Sequence, residues 1–176
     1  MHARVSTLVV SWLAGLAGHH MGDYLVQRDC DAQRKQKHTP EGRKALARHA
    51  VTYGLTQAVA RAVVYRVAGL RVPARAQVAG MLVETITHGV IDDGRAIVRF
   101  ADGTGKPGFV RLGAPRDVSA VTRSGEPVHL KNENGDAVSW DNLNPSGGIG
   151  LMDQAAHQGV QIPIGSVATA VLSTRR

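Results

Sequence analysis

The sequence predicts a mainly α-helical single domain over residues 1–176, a four-helix bundle with a small β-hairpin insertion between its third and fourth helices. Three observations lead there. Apolar residues recur at helical spacing in long segments. Only 4% of residues are aromatic, so the core must lean on Val, Ala, Leu and Ile, which suits packed helices. A stretch rich in Gly, Pro, Asp and Asn, residues 101–148, interrupts the helical texture. At 176 residues the chain is long enough for one domain with a real core.

The elements follow in order. Val5, Leu8, Val9, Trp12, Leu16, His19, Asp23 and Gln27 share one helical face, so the polar motif HHMGDY continues the apolar stripe and is expected to point inward. The apolar run over residues 5–17 is followed by a charged motif and no A-x-A-like cleavage site, and reads as a buried helix. Residues 28–48 are basic, with Arg28, Arg34, Lys35, Lys37, Arg43, Lys44 and Arg48, and read as a solvated helix end and loop. Thr39-Pro40-Glu41 is a helix start, with a capping hydroxyl, Pro at the first helical position and an acid in the first turn. This second helix is expected to run through His49 to about Leu70.

Val72-Pro73 marks the next boundary, and residues 74–100 form the third helix, carrying Glu84, His88 and Asp92 at successive i,i+4 positions. In residues 101–148, segments 127–131 and 137–140 are expected to pair as a β-hairpin around Asn134-Gly135. Asn144-Pro145-Ser146 restarts a fourth helix carrying Asp153 and His157, and Pro163 is expected to kink or interrupt it.

Composition narrows the function. The net charge of +7 favours anionic partners, whether a small molecule, nucleic acid or anionic lipid. The single Cys30 excludes an intramolecular disulfide and any thiolate-rich metal site, and fits a cytoplasmic protein. Charged residues interrupt the second and third helices, so contact with a membrane surface is the alternative to a free cytoplasmic location. There is no G-x-S-x-G, Gly103-Thr104-Gly105-Lys106 lacks the phosphate-loop spacing, and no helix-turn-helix pattern is evident.

The chemistry rests on three His/Asp pairs at i,i+4 spacing: His19/Asp23, His88/Asp92 and Asp153/His157. Residues four apart on a helix lie one above the other, so each pair presents an imidazole and a carboxylate together. The bland account is three separate ion pairs on helix surfaces. The sharper one is a shared centre in which His19, Asp23, His49, His88, Asp92, Asp153 and His157 hold one or two divalent ions. Nitrogen and oxygen donors suit Zn, Mn, Fe or Mg. Glu84, one turn before His88, is the candidate general base, with half-buried pairing to Arg61 or Arg95 as its alternative. Gln27 and Gln154 are candidates to hydrogen-bond the ligands, and Arg28, Arg34 and Arg48 to hold an anionic substrate.

The motifs H-H-M-G-D-Y-L-V-Q, R-H-A-V-T-Y, T-H-G-V-I-D and M-D-Q-A-A-H resemble, in order, those of the bacterial and phage family called domain of unknown function 3307. That family shows H-x-x-G-D-[FY]-x-x-Q, a His opening the next helix, H-x-x-x-D and a late D-Q-x-x-H. The likeness covers about residues 5–100 and 149–172, and residues 101–148 look like an insertion beyond it. It implies no activity, and family members are often predicted as membrane helical proteins. In ligand type alone, the His/Asp set is distantly similar to zinc-dependent phospholipase C and the P1-type nucleases, without their N-terminal Trp ligand. The sequence reading is a metal-dependent phosphoester hydrolase. Its alternatives are a non-enzymatic regulatory or phage protein, metal-stabilised or nucleic-acid-binding, and a membrane-associated helical protein.

Overall fold

The computed structural model describes residues 2–110, 120–121, 127–128 and 147–174. The chain is mainly helical. It divides into two compact units, one formed by Met1–Arg95 with Ala155–Arg176 and the other by Ala96–Gln154.

In the first unit, α1 (His2–His20) passes directly into a π-helical turn, Met21–Val26. The short α2 (Asp29–Ala32) follows. Helix α3 (Pro40–Val67) starts where its cap predicts, with Thr39 Oγ1 accepting from Gly42 N at 3.1 Å and Pro40 in the first turn. Helix α4 (Ala74–Asp92) ends at Gly94, whose φ of +81° is a left-handed conformation that glycine adopts freely. The third predicted helix, residues 74–100, is therefore two helices, and α5 (Arg95–Gly103) begins after the break.

The chain returns to the first unit through a second π-helical turn, His157–Gln161, and α8 (Ile162–Ser173). Pro163 directly follows the π-turn, with the Ile162 N–H bonded to His157 O five residues back, so the irregularity expected of this proline is the π-turn just before it. The long helices form a closed ring, α1 packing on α3 and α8, and α4 packing on the same two.

Each long helix buries a row of residues four apart. On α3 the row is His49, Tyr53, Gln57, Arg61 and Tyr65; on α4 it is Ala76, Gly80, Glu84, His88 and Asp92. Both rows are largely polar. The aliphatic rows point outward instead: Val51, Leu55, Val59, Val63 and Val67 on α3, and Val78, Leu82, Ile86 and Val90 on α4. The first helix departs from the expected inward stripe in the same way. Val5, Val9, Trp12 and Leu13 are exposed, while Thr7, Ser11, Ala14, Gly15 and Gly18 form the face shared with His19. Hydrophobicity alone misassigned that face because small and hydroxyl residues let helices approach, and polar neighbours satisfy the hydroxyls. Ser11 and Tyr65, for example, share a 2.6 Å hydrogen bond. A hydrophobic cluster, Tyr65, Val72 and Ala76 with Val10, Leu70 and Leu172, lies at the other end of α3 from His49. Among the described residues no helix is long and apolar enough to cross a membrane.

Close approach is clearest between α4 and α8. A Cβ on Gly80 would press on Thr169 Oγ1 and sit 2.9 Å from the backbone oxygen of Gly165. Backbone cannot swing aside as a side chain can, so Gly80→Ala is expected to cost about 1–3 kcal/mol through overpacking. Urea denaturation measures it, and an unchanged midpoint would contradict the packing described.

In the second unit, residues expected to open a β-rich insertion are helical, as the end of α5 and as α6 (Pro107–Val110). Ile97 and Ala101 are buried on α5, and this amphipathic turn outweighs the Gly and Asp content that suggested a loop. The predicted hairpin is not supported. Residues 129–140 lie outside the described residues, and Pro127–Val128 (β2) pair antiparallel with Ala120–Val121 (β1), in the register Ala120↔Val128. Helix α7 (Gly147–Ala156) closes the second unit and leads back to the first.

Candidate metal centre

Five helical elements of the first unit bring imidazoles and carboxylates to one place. His19 lies in the last turn of α1 and Asp23 in the π-turn that follows; His49 projects from α3, His88 and Asp92 from α4, and His157 opens the second π-turn. All four imidazoles and the Asp92 carboxylate are at most 1% exposed. Buried ionisable groups of this kind are rare unless paired or bound to metal.

The distances define a tight cluster. His49 Nε2 lies 2.9 Å from His88 Nε2. Asp92 Oδ2 is 3.0 Å from the first of these nitrogens and 3.1 Å from the second, and Asp23 Oδ1 is 3.5 and 3.6 Å from them. Ligand atoms around a tetrahedral zinc with nitrogen and oxygen donors are roughly 3.3 Å apart, from bond lengths of about 2.0–2.1 Å. The ligand atoms of Asp23, His49 and His88 could hold one ion, with Asp92 Oδ2 beside both imidazoles.

The protonation pattern points the same way. Gln161 Oε1 accepts from Nδ1 of His157 and, at 3.3 Å, from Nδ1 of His88. Its orientation is fixed by Nε2, which donates to Tyr53 Oη at 2.8 Å. Gln57 Nε2 donates to that same phenolic oxygen at 2.6 Å and to Gly15 O at 3.0 Å, and the Tyr53 ring stacks on His88 with centroids 3.6 Å apart. An Nδ1–H tautomer leaves each Nε2 with a lone pair. In His88 that lone pair faces Asp92 Oδ2, and in His157 it faces Asp92 Oδ1 at 3.2 Å. Lone pairs opposed in a buried site repel unless a cation lies between them, and a ligating His commonly donates its other ring N–H to an outer partner. Asp23 Oδ1 and Asp92 Oδ2 accept no well-formed hydrogen bond among the described residues.

The electrostatics are those of a buried anionic pocket. For Asp92 burial favours the neutral acid, but contacts with His157, His49 and His88 outweigh it and drive the carboxyl far below its ordinary range. Asp23 is lowered as well, burial being overcome by His49 and the charges of His88 and His19. Burial lowers His88, whereas for His49 the two carboxylates overcome burial and raise it.

His19 extends the cluster. Its Nδ1 is 3.5 Å from Asp23 Oδ2, and its ring lies 5.0 Å from that of His157, centroid to centroid. Ring nitrogens of His19, His88 and His157 lie within 4.8 Å of one another, as do the ligand atoms of Asp23, His49 and His88. Asp153 and Gln154, expected with this group, belong to the second unit.

The other expected site residues fall as follows. The Gln27 carboxamide reaches the backbone oxygen of Asp23 at 3.3 Å and Lys35 Nζ at 3.2 Å. Glu84 is fully buried and ion-paired with Arg61 Nη2, which also donates to Ser166 Oγ at 3.2 Å. Burial, opposed by that guanidinium, pushes the Glu84 carboxyl up to about 7. Of its two expected roles, the structure therefore places it in the pairing with Arg61. Arg48 is engaged by the buried Asp31 through both guanidinium and carboxylate atoms, and Arg28 and Arg34 are exposed.

Four residues escaped the sequence reading. Tyr53, Gln57 and Gln161 lie at i+4 continuations of His49 and His157, a spacing that could have found them. Lys35 was counted with the solvated basic run, yet its Nζ is 2.9 Å from Asp92 Oδ1. No protein-family model, curated protein or solved structure matches this chain.

Proposed function

We propose that the chain is a metal-dependent hydrolase of a phosphoester. The observation that carries the metal is the convergence of imidazole nitrogens and buried carboxylate oxygens around His88 Nε2, at 2.9–3.6 Å. Asp23, His49, His88 and Asp92 are the ligands, Gln161 and Tyr53 orient them, and His19 and His157 adjoin. A zinc, manganese, iron or magnesium ion so held acts as a Lewis acid on water and on a phosphoryl oxygen. Lys35, beside the ligands, and the basic segment 28–48 supply positive charge for an anionic substrate.

Bis(p-nitrophenyl) phosphate with added Mn, Zn or Mg tests the proposal. Turnover is expected with at least one ion and is expected to vanish on chelation. Metal that raises the melting temperature without cleaving this diester or p-nitrophenyl phosphate would leave a structural metal site and sink the hydrolase.

One observation favours a second reading, a membrane-associated protein. Outward aliphatic rows on α3 and α4, with exposed Val5, Val9, Trp12 and Leu13 on α1 and Ile164 and Val167 on α8, give every helix of the ring an apolar outer face. Exposed apolar surface of that extent marks an interaction surface, and the basic segment 28–48, which runs into α3, suits anionic headgroups. Fractionation without detergent decides: recovery of the whole protein in the supernatant at high and low salt would refute lipid association.

A further inference from the structure

We propose that the centre takes a single divalent ion and that the Lys35 ammonium is its second cation. The inference rests on the metal reading above and concerns how many ions that site admits. Asp92 divides its carboxylate. Oδ2 faces His49 and His88, whereas Oδ1 faces His157 Nε2 at 3.2 Å and Lys35 Nζ at 2.9 Å.

A second ion bridged to the first through Asp92 would use Oδ1 together with His157, and that oxygen already has a cation on it. Bonded to Oδ1 at about 2.1 Å, such an ion would lie no more than about 5 Å from the ammonium. Like charges that close in a buried site repel strongly.

Lys35 is also held in place. The Gln27 carboxamide oxygen accepts from Nζ at 3.2 Å while its nitrogen reaches the Asp23 backbone. The Lys35 backbone N–H donates to the carbonyl of Asp31 at 2.8 Å, and Asp31 is itself clamped by Arg48. At 13% exposure, the Lys35 side chain is the most open of the groups touching Asp92. An anion arriving there meets the ammonium and the ion together, so Lys35 supplies the charge that a second metal supplies in two-metal phosphoesterases.

Metal stoichiometry tests this without any turnover assay. Wild type, Lys35→Met and Lys35→Arg are titrated calorimetrically with Zn and with Mn, and ion content after dialysis is read by mass spectrometry. Wild type and Lys35→Arg are expected to bind about one ion per chain, and Lys35→Met about two. Two ions in wild type, or one in a folded Lys35→Met, overturns the proposal. The wild-type count keeps the test decisive even where Lys35→Met fails to fold. No ion in wild type removes the metal reading itself, and a single ion without hydrolysis removes only the hydrolase.

Discussion

Asp92→Asn is expected to weaken divalent-ion binding by more than about 100-fold, the largest loss from any one change at the centre. Removing a residue that only orients a ligand typically costs 10–100-fold, and Asp92 is a proposed ligand with His49 and His88 on one oxygen and Lys35 and His157 on the other. The amide keeps the shape and opens no cavity, but it loses the charge that opposes Lys35 and offers the imidazoles an N–H in place of an oxygen. The ion-free protein is expected to lose about 3 kcal/mol as well, at the lower end for a broken buried pair because Lys35 has a route to solvent. Calorimetric titration and urea denaturation separate the two effects. Wild-type affinity in Asp92→Asn would remove Asp92 from the ligand set.

Arg61→Met is expected to cost about 3–5 kcal/mol at pH 8 and distinctly less at pH 5. The guanidinium is the cation paired with the fully buried Glu84, and the substitution roughly keeps volume while leaving a carboxyl alone in the core. In wild type, burial already raises Glu84 from an ordinary 4.5 to about 7. The folded state therefore binds that proton more tightly than the unfolded chain does. The associated stability is complete below about pH 4.5 and is lost as pH rises through about 7. Without Arg61 the folded value moves higher still, so the penalty grows toward alkaline pH. Urea midpoints of both proteins at pH 5 and pH 8 measure this. A penalty equal at both pH values would mean that Glu84 does not titrate in the variant, and unaltered metal affinity is expected because the pair lies outside the ligand set.

Helix starts and the members of the His/Asp cluster were legible in local chemistry. Thr39-Pro40 fixes the start of α3, because a hydroxyl cap and a proline without an N–H suit only that end of a helix. The i,i+4 pairs name His19, Asp23, His88 and Asp92, since one helical face must carry both members. Which face turns inward was not legible. Burial of Thr7, Ser11, Gln57 and Thr169 depends on partners from other helices, and no window of one helix contains them. Lys35 was obscured for the same reason: its role is set by Asp92, fifty-seven positions away, while its neighbours in sequence are solvated cations. The break between α4 and α5 was written at Asp93-Gly94, but the apolar periodicity on either side masked it.

The π-turns at Met21–Val26 and His157–Gln161 tie the centre to helix register. A π-turn closes its hydrogen bonds one residue later than an α-turn, so converting either to α-helix would shift the following residues by one position, about 100° around the axis. Asp23 lies within the first turn, and the second holds both His157 and the Gln161 that orients it. An ion that prefers the π register draws the helix into it, and by reciprocity any substitution that stabilises the α register weakens the ion by the same factor. The affinity for an ion held there would therefore be tuned from outward-facing positions such as Leu25 and Val160, which set how each turn is wound.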